Sequence, residues 1–464
     1  LTGTDLMLFE DTTLQERLQN LRESYFASNN HQQKEKLKSR YSELIKESED
    51  LFGDSSRTAQ LKSFRPFDSD HSALFFDPRE MFGCEDFHIV IGNPPYIDSE
   101  FMTKHLKELR DFLKKQYRTT DGNWDLFVPF IERGIQLAQN QGVVSFIVKN
   151  SLLGSRYCES IRKLMSEHQL EEILDYGQVR VFESASVATC VFRLKKGAPQ
   201  EEAKFSLMDT VEKPKFVNLV PAVDLVRRTN WIPLVADANT RSVLSLIERL
   251  GNLKELGFTS SAAATVSEAY KIAEYVKDNA NPDSNQFRLI NTGSIDPYKS
   301  LWGERKTKYL GLELMHPVIS KNDLEVVSAK RLTQSSKPKL IAIGMGNVEV
   351  FMDLKGEYCA GKTTSILFPP EGSESNLLPF ALALLNSRVG RFWFKTNFLA
   401  GGMSGLTPEN LLTMPVPEIT ESELVEIVSS AKLNQIDPSK QLSKDINNRI
   451  EQAFGLNEEM LAYL

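Results

Sequence analysis

Four cysteines in 464 residues, Cys84, Cys158, Cys190 and Cys359, make neither a Cys-x-x-Cys pair nor a disulfide framework, a usage that suits the reducing cytoplasm. Six isolated histidines show no metal-ligand spacing, so no metal is implied. Long apolar runs are lacking too. Phe380 to Leu385 is among the longest, too short for a membrane span or a signal-peptide core. There is no excess of positive charge: the net charge of -7 argues against a polycation that coats nucleic acid. No internal repeat or low-complexity tract appears. What remains is a globular chain whose 41% apolar content suffices for two or three cores.

Against these absences one tetrapeptide stands out. Asn93-Pro94-Pro95-Tyr96 closes the apolar run Phe87-His88-Ile89-Val90-Ile91-Gly92, a strand pattern. In α/β sheets the chemistry sits beyond the carboxyl ends of the strands, which is where Asn93 falls. An amine conjugated to a ring, such as adenine N6, is a poor nucleophile because its lone pair is delocalised. The Asn93 side-chain carbonyl and a neighbouring backbone carbonyl can accept both amine protons and draw the nitrogen toward tetrahedral geometry. Pro94 and Pro95 stiffen the loop and offer no competing N–H. Tyr96 supplies a flat face for a base pulled out of a duplex, typically worth ~1–3 kcal/mol. The motif points to transfer of a methyl group to an amine.

Around the motif, Leu14, Leu18, Leu21 and Tyr25, then Leu37, Tyr41, Leu44 and Ile45, recur at helical spacing and predict two amphipathic helices between about Thr13 and Leu51. A loop-rich approach from Phe64 to Gly83 leads into the strand. Helices are expected near Thr103–Lys115, Leu126–Gln139 and Ser155–Glu167, and strands near Val143–Lys149, Glu171–Tyr176 and Ala188–Leu194, an alternation implying a mostly parallel sheet. Lys195-Lys196-Gly197-Ala198-Pro199 reads as a boundary. The expected domains are therefore a helical segment (1–58), a catalytic domain (59–200), and a mixed α/β domain with a helical tail (201–464). Leu1 is not an initiator methionine, so a longer gene product is expected. Between Lys299 and Lys339 nine basic residues face four acidic ones, and Lys330, Arg331, Lys337 and Lys339 are candidate phosphate contacts.

The motif, together with Trp124-Asp125-Leu126-Phe127, the strand Gly142 to Ile147 and the turn Asn150-Ser151-Leu152-Leu153, resembles the gamma-class DNA adenine-N6 methyltransferases. It is most similar to those fused to nucleases, the type IIG restriction-modification enzymes. The resemblance is good over about 60–200 and weaker over 290–420. It implies a partial Rossmann-like sheet followed by a target-recognition domain, S-adenosylmethionine as donor, and double-stranded DNA with a flipped adenine as partner. It also implies that Phe182, in Val181-Phe182-Glu183, stacks on the base opposite Tyr96.

Two departures are large. No Gly-x-Gly cofactor loop precedes the motif, and no Pro-Asp…Glu-x-Lys nuclease pattern is present. Cofactor-binding and nuclease domains are therefore expected upstream in the same polypeptide, with the chain alone inactive. Gly344-Met345-Gly346 reads as a β-turn, and Gly401-Gly402-Met403-Ser404-Gly405 as a candidate mobile loop. Two other functions fit the motif: methylation of a protein glutamine or an rRNA guanine, and a DNA-specificity module with a vestigial catalytic edge. The long region after Gly197 favours DNA over the former.

Overall fold

The computed structural model describes residues 12–52, 63–68, 70–177, 179–182, 187–199, 201–343, 348–399 and 406–464. Both glycine clusters, Gly344-Met345-Gly346 and Gly401 to Gly405, lie outside them, as does Glu183 to Ser186 beyond Phe182. The chain is a mixed α/β protein that divides into two compact units, Leu1–Ile91 with Arg133–Val144, and Gly92–Glu132 with Ser145–Leu464.

In the first unit the two expected helices form, α1 (Thr12–Ala27) and α2 (His31–Phe52). The residues picked out by helical spacing make their contact: Leu18, Tyr41 and Leu44 are buried together, with Leu21, Ile45 and Phe67 against them. The unit also holds most of strand β1 (Phe87–Gly92), which lies beside the first half of β2 (Ala138–Lys149). Gly142 sits where a Cβ would come within 2.9 Å of the carbonyl oxygens of both Phe87 and Gln139, so only glycine fits.

The second unit takes over at Gly92. Its first sheet runs in the order β2, β4 (Thr189–Lys195), β3 (Gln169–Asp175), β5 (Glu202–Met208) and β6 (Pro214–Pro221). Phe146, Ile173, Phe192, Leu194 and Phe205 are buried in it. Antiparallel pairings enter the sheet that was expected to be mostly parallel. β3 is parallel to β5, but antiparallel to β4, and β5 is antiparallel to β6. A parallel neighbour needs a crossover of a dozen or more residues, usually a helix. Between β5 and β6 there are only the residues 209–213, and between β4 and β5 only 196–201, so the chain must turn straight back. Lys195 to Pro199, the expected boundary, runs from the end of β4 toward β5 of this one sheet, which continues to Pro221.

The helix expected near 103–115 is split at Leu106 into α3 (Ser99–His105) and α4 (Lys107–Gln116). Helix α5 (Phe127–Leu137) follows, and α6 (Glu159–Ser166) starts later than expected because a 3-10 turn, Arg156–Cys158, precedes it. Beyond Pro221 come two hairpins, β10 (Ile295–Asp296) with β11 (Lys299–Ser300) and β12 (Thr307–Tyr309) with β13 (Leu312–Leu314), and two four-stranded sheets. One is ordered β17 (Tyr358–Ala360), β9 (Gln286–Ile290), β14 (Pro317–Ser320) and β8 (Lys277–Asp278). The other is β16 (Val350–Asp353), β15 (Lys339–Ile343), β18 (Thr364–Phe368) and β7 (Thr259–Ala262). Helix α7 (Val266–Tyr275) begins with a capping box of Thr265 and Glu268, and α8 (Ala329–Ser336) leads into β15. The apolar run Phe380 to Leu385 lies inside α9 (Glu374–Asn386), almost wholly buried, with α10 (Glu421–Ile436) and α11 (Lys440–Ala453) forming the helical tail. Among the described residues no helix is long and apolar enough to cross a membrane.

Candidate active site

The loop Asn93–Asp98 leaves β1 with extended or irregular backbone and ends where Asp98 caps α3, its carboxylate accepting from Phe101 N–H at 2.7 Å. Pro94 is buried and Pro95 exposed, so one ring anchors the loop while the other faces outward. Asn93 is exposed, and its side-chain amide has no hydrogen-bond partner among the described residues. Its carbonyl is therefore free to accept from an incoming amine.

Tyr96 is half-buried, and its hydroxyl donates to the Ile147 carbonyl at 3.4 Å, a long contact for an O–H donor. Burial, with Cys190 nearby, pushes its pKa up to about 12, so the ring stays a neutral phenol. Phe182, placed far away in sequence, comes to Tyr96 with ring centroids 6.2 Å apart and planes at 68°. A base sandwiched at the usual stacking step of ~3.4 Å needs parallel faces about 7 Å apart. The rings instead meet edge to face, so admitting a base requires one of them to turn. Tyr96 is held through its hydroxyl, whereas the Phe182 ring is partly buried and has no polar atom to tether it.

Beneath the loop lies a polar cluster that sequence reasoning did not assemble. Asp125 is 7% exposed and accepts three hydrogen bonds: from Ser99 N–H at 3.2 Å, Lys149 Nζ at 2.9 Å and Tyr157 OH at 3.0 Å. Tyr157 OH also lies 2.9 Å from Ser151 Oγ, and Leu126 N–H donates to the Ile97 carbonyl at 2.9 Å. One carboxylate thus ties the start of α3, just after the motif, to the end of β2. Asp125 also stands just before α5, yet its bonds run to Ser99, Lys149 and Tyr157, so it is more than a charge at a helix start. Trp124 is fully buried, with Arg110 4.7 Å from its ring centre. Asp175, at the end of β3 opposite Cys190, accepts from Gly177 N–H at 3.0 Å and the Asn150 amide at 3.5 Å. Burial outweighs those bonds and raises its pKa to about 6.

The four expected phosphate contacts divide in two. Lys330 and Lys337 are exposed. Arg331 and Lys339 are buried, which corrects their assignment. Arg331 Nη2 lies 2.8 Å from Glu268, whose carboxyl is held at about 2 because Arg331 and Thr265 outweigh the upward pull of burial. Lys339 is fully buried, 2.5 Å from Asp353, and burial lowers its pKa. Neither head group can reach a phosphate: Lys339 ties β15 to β16 within one sheet, and Arg331 ties α8 to Glu268 of α7 and to the Ala262 carbonyl at the end of β7. Lys339 opens the all-buried strand Lys339–Ile343, and that apolar continuation was the signal available in the sequence.

S-adenosylmethionine, expected from the family, needs a glycine-rich turn between a strand and a helix to admit its adenosyl group. Among the described residues β1 runs instead into Asn-Pro-Pro, and none of the other strands ends in such a turn followed by a helix. The described residues do not fit the whole cofactor. Among the described residues no group of three or more potential metal ligands comes together.

Residues 5–182 match the family described as Eco57I restriction-modification methylase. The chain is similar to the type II restriction enzyme and methyltransferase RM.Eco57I of Escherichia coli, 23% identical over 235 residues, covering 48% of this chain and 22% of that protein. It is also similar to the type II methyltransferase M.PaeR7I of Pseudomonas aeruginosa, 30% identical over 238 residues, covering 47% and 40%. Among solved structures it resembles the type IIL restriction-modification enzyme MmeI in complex with DNA, with a TM-score of 0.51 at 10% identity over 90% of this chain and 61% of that one. That likeness concerns the fold alone. The chain spans less than half the length of these curated relatives.

Proposed function

We propose, from the match of residues 5–182 to the Eco57I restriction-modification methylase family, that the chain is the base-acceptor and DNA-reading part of a type IIG adenine-N6 DNA methyltransferase. The observation that carries this reading is the Asn-Pro-Pro-Tyr loop, with its unpartnered, exposed Asn93 and the Tyr96–Phe182 ring pair 6.2 Å apart. A flipped adenine enters between the rings once Phe182 turns, and stacks on Tyr96. Asn93 Oδ1 accepts one N6 proton and a loop carbonyl the other, so the nitrogen lone pair is turned out of conjugation. Asp125 holds the loop's exit rigid while this happens. S-adenosylmethionine supplies the methyl group, bound by a part of the enzyme outside the described residues.

The partial Rossmann-like sheet is then the catalytic core, and the two sheets and helical tail beyond Pro221 are the target-recognition region, with polar side chains on base edges and lysines on phosphates. A nuclease in the same polypeptide completes the type IIG arrangement. Size favours DNA over a protein or rRNA amine as substrate, since more than half the chain lies beyond the sheet that carries the motif. The test is on the two rings. In the full enzyme, Tyr96→Ala or Phe182→Ala should lower turnover more than duplex affinity, and both should reduce the fluorescence rise of 2-aminopurine placed at the target position. A fluorescence rise unaltered in both variants would remove the rings from base capture.

A further inference from the structure

The buried state of Arg331 and Lys339 leaves open which surface of the C-terminal region meets the DNA backbone. A cavity of about 800 Å³ lies between the turn joining β10 (Ile295–Asp296) to β11 (Lys299–Ser300) and the start of α11. Four cations line it, Lys299, Arg388, Lys440 and Lys444. Two are neutralised locally: Lys299 by Glu304 at 2.6 Å, and Arg388 by Glu451 through two contacts of 2.7 Å. The one acidic lining residue, Asp296, is 3.6 Å from Arg305. Lys440 and Lys444 make no ion pair among the described residues, and both are exposed.

Position makes those two lysines informative. They are four apart on one helix, so they share a face, and like charges at that spacing repel when no anion lies between them. Ser443 and Asn447 continue the same face into the cavity. Asn447 uses its carbonyl to accept from Arg388 N–H at 2.8 Å, which leaves its amide as a donor. Ser443 Oγ already accepts from Asn434 at 3.1 Å, so its own proton is also available to donate. The face is thus rich in donors and carries two uncompensated positive charges. The cavity, at about 800 Å³, exceeds what a single small anion fills. The turn opposite is held in a fixed, unfavourable conformation, with Tyr298 at φ 68°, buried, and its N–H donated to the Val350 carbonyl at 2.9 Å.

We infer that this cavity takes a stretch of the phosphodiester backbone of duplex DNA, with Lys440 and Lys444 as the phosphate contacts and Asn447 and Ser443 as neutral donors beside them. This rests on the DNA-binding reading given above. The test measures affinity of the chain for a short duplex by fluorescence anisotropy over a range of salt. Each lost phosphate contact lowers the slope of log K against log salt by ~0.9, so K440Q/K444Q should lower it by about 1.8 and K440R/K444R should retain it. A second titration uses inorganic tripolyphosphate, read by calorimetry.

A reduced slope in the glutamine pair, kept in the arginine pair, is the expected result. Duplex binding with an unchanged slope in the glutamine pair overturns the cavity assignment and leaves the DNA reading intact. Tripolyphosphate binding that needs both lysines, in a chain that ignores DNA, overturns the backbone as ligand and the DNA reading with it. Absence of binding to either probe defeats both.

Discussion

Removing the carboxylate of Asp125 tests whether the cluster beneath the Asn-Pro-Pro-Tyr loop holds it in place. Asp125→Ala deletes three hydrogen bonds, two from neutral donors and one from the Lys149 ammonium, whose side chain is only 19% exposed. All three are accepted by a carboxylate, so each is a bond to a charged group, ~1.5–3 kcal/mol taken singly and not additive. Breaking a fully buried pair costs ~3–5 kcal/mol. Partial access of water to Lys149 argues for the lower end, about 3 kcal/mol in total. With a urea slope of roughly 3 kcal/mol/M, the denaturation midpoint should fall by about 1 M. Hydrogen exchange supplies the local readout: the Ser99 amide should lose protection in Asp125→Ala, and regain part of it in Asp125→Asn, which keeps an acceptor. A midpoint within about 0.2 M of the parent, with Ser99 still protected, would refute the tethering argument.

Other substitutions give outcomes of different sign. Asp175 has its folded pKa raised from 3.8 to about 6 by burial, so its ionisation opposes folding: the penalty is absent below about pH 4 and grows as pH rises to about 6. Asp175→Asn should therefore be more stable than the parent at pH 7, by up to ~3 kcal/mol, with the gap closing toward pH 4 in urea titrations; a gap independent of pH would contradict this. Lys339→Ala leaves Asp353 buried without its partner and should cost ~3–5 kcal/mol, while the salt dependence of DNA binding stays unchanged. Gly142→Ala should destabilise the chain, because the added carbon meets two carbonyl oxygens at 2.9 Å; a melting temperature equal to the parent's would show that the strand relaxes at no cost. Calorimetry should detect no micromolar binding of S-adenosylmethionine to the chain, and micromolar binding would mean that a cradle exists where none was identified.

How far the sequence disclosed the site depends on whether the relevant physics is local. Asn93 to Tyr96 was legible because proline, asparagine and an aromatic ring in that order have a chemical meaning without any neighbour. The α1–α2 contact was legible through helical spacing, which put Leu18, Tyr41 and Leu44 on matching faces. Strand direction was legible only in part: the links after β4 and β5 are too short for a crossover, whereas the link from β3 to β4, residues 176–188, is long enough for one, and its antiparallel return carries no signal in length. The Asp125 cluster joins residues 24 and 32 positions apart, and nothing in the spacing signals that Lys149 and Tyr157 converge on one carboxylate. Charge counting between Lys299 and Lys339 treated every basic residue as solvated, yet burial decides the role of Arg331 and Lys339.

The most direct measurement concerns Asn93. In the full enzyme, methyl transfer from labelled S-adenosylmethionine to duplex DNA is followed by nucleoside analysis of the product, alongside duplex affinity, for the parent and for Asn93→Ala. Loss of one acceptor in a preorganised site costs ~2.7–4 kcal/mol in the barrier. The expected result is label in N6-methyladenine from the parent, a roughly 100- to 1000-fold slower reaction in the variant, and affinity within a few-fold of the parent. Label in any other base, or an Asn93→Ala enzyme that methylates at the parent rate, would contradict the assignment of this loop as the holder of the adenine amine.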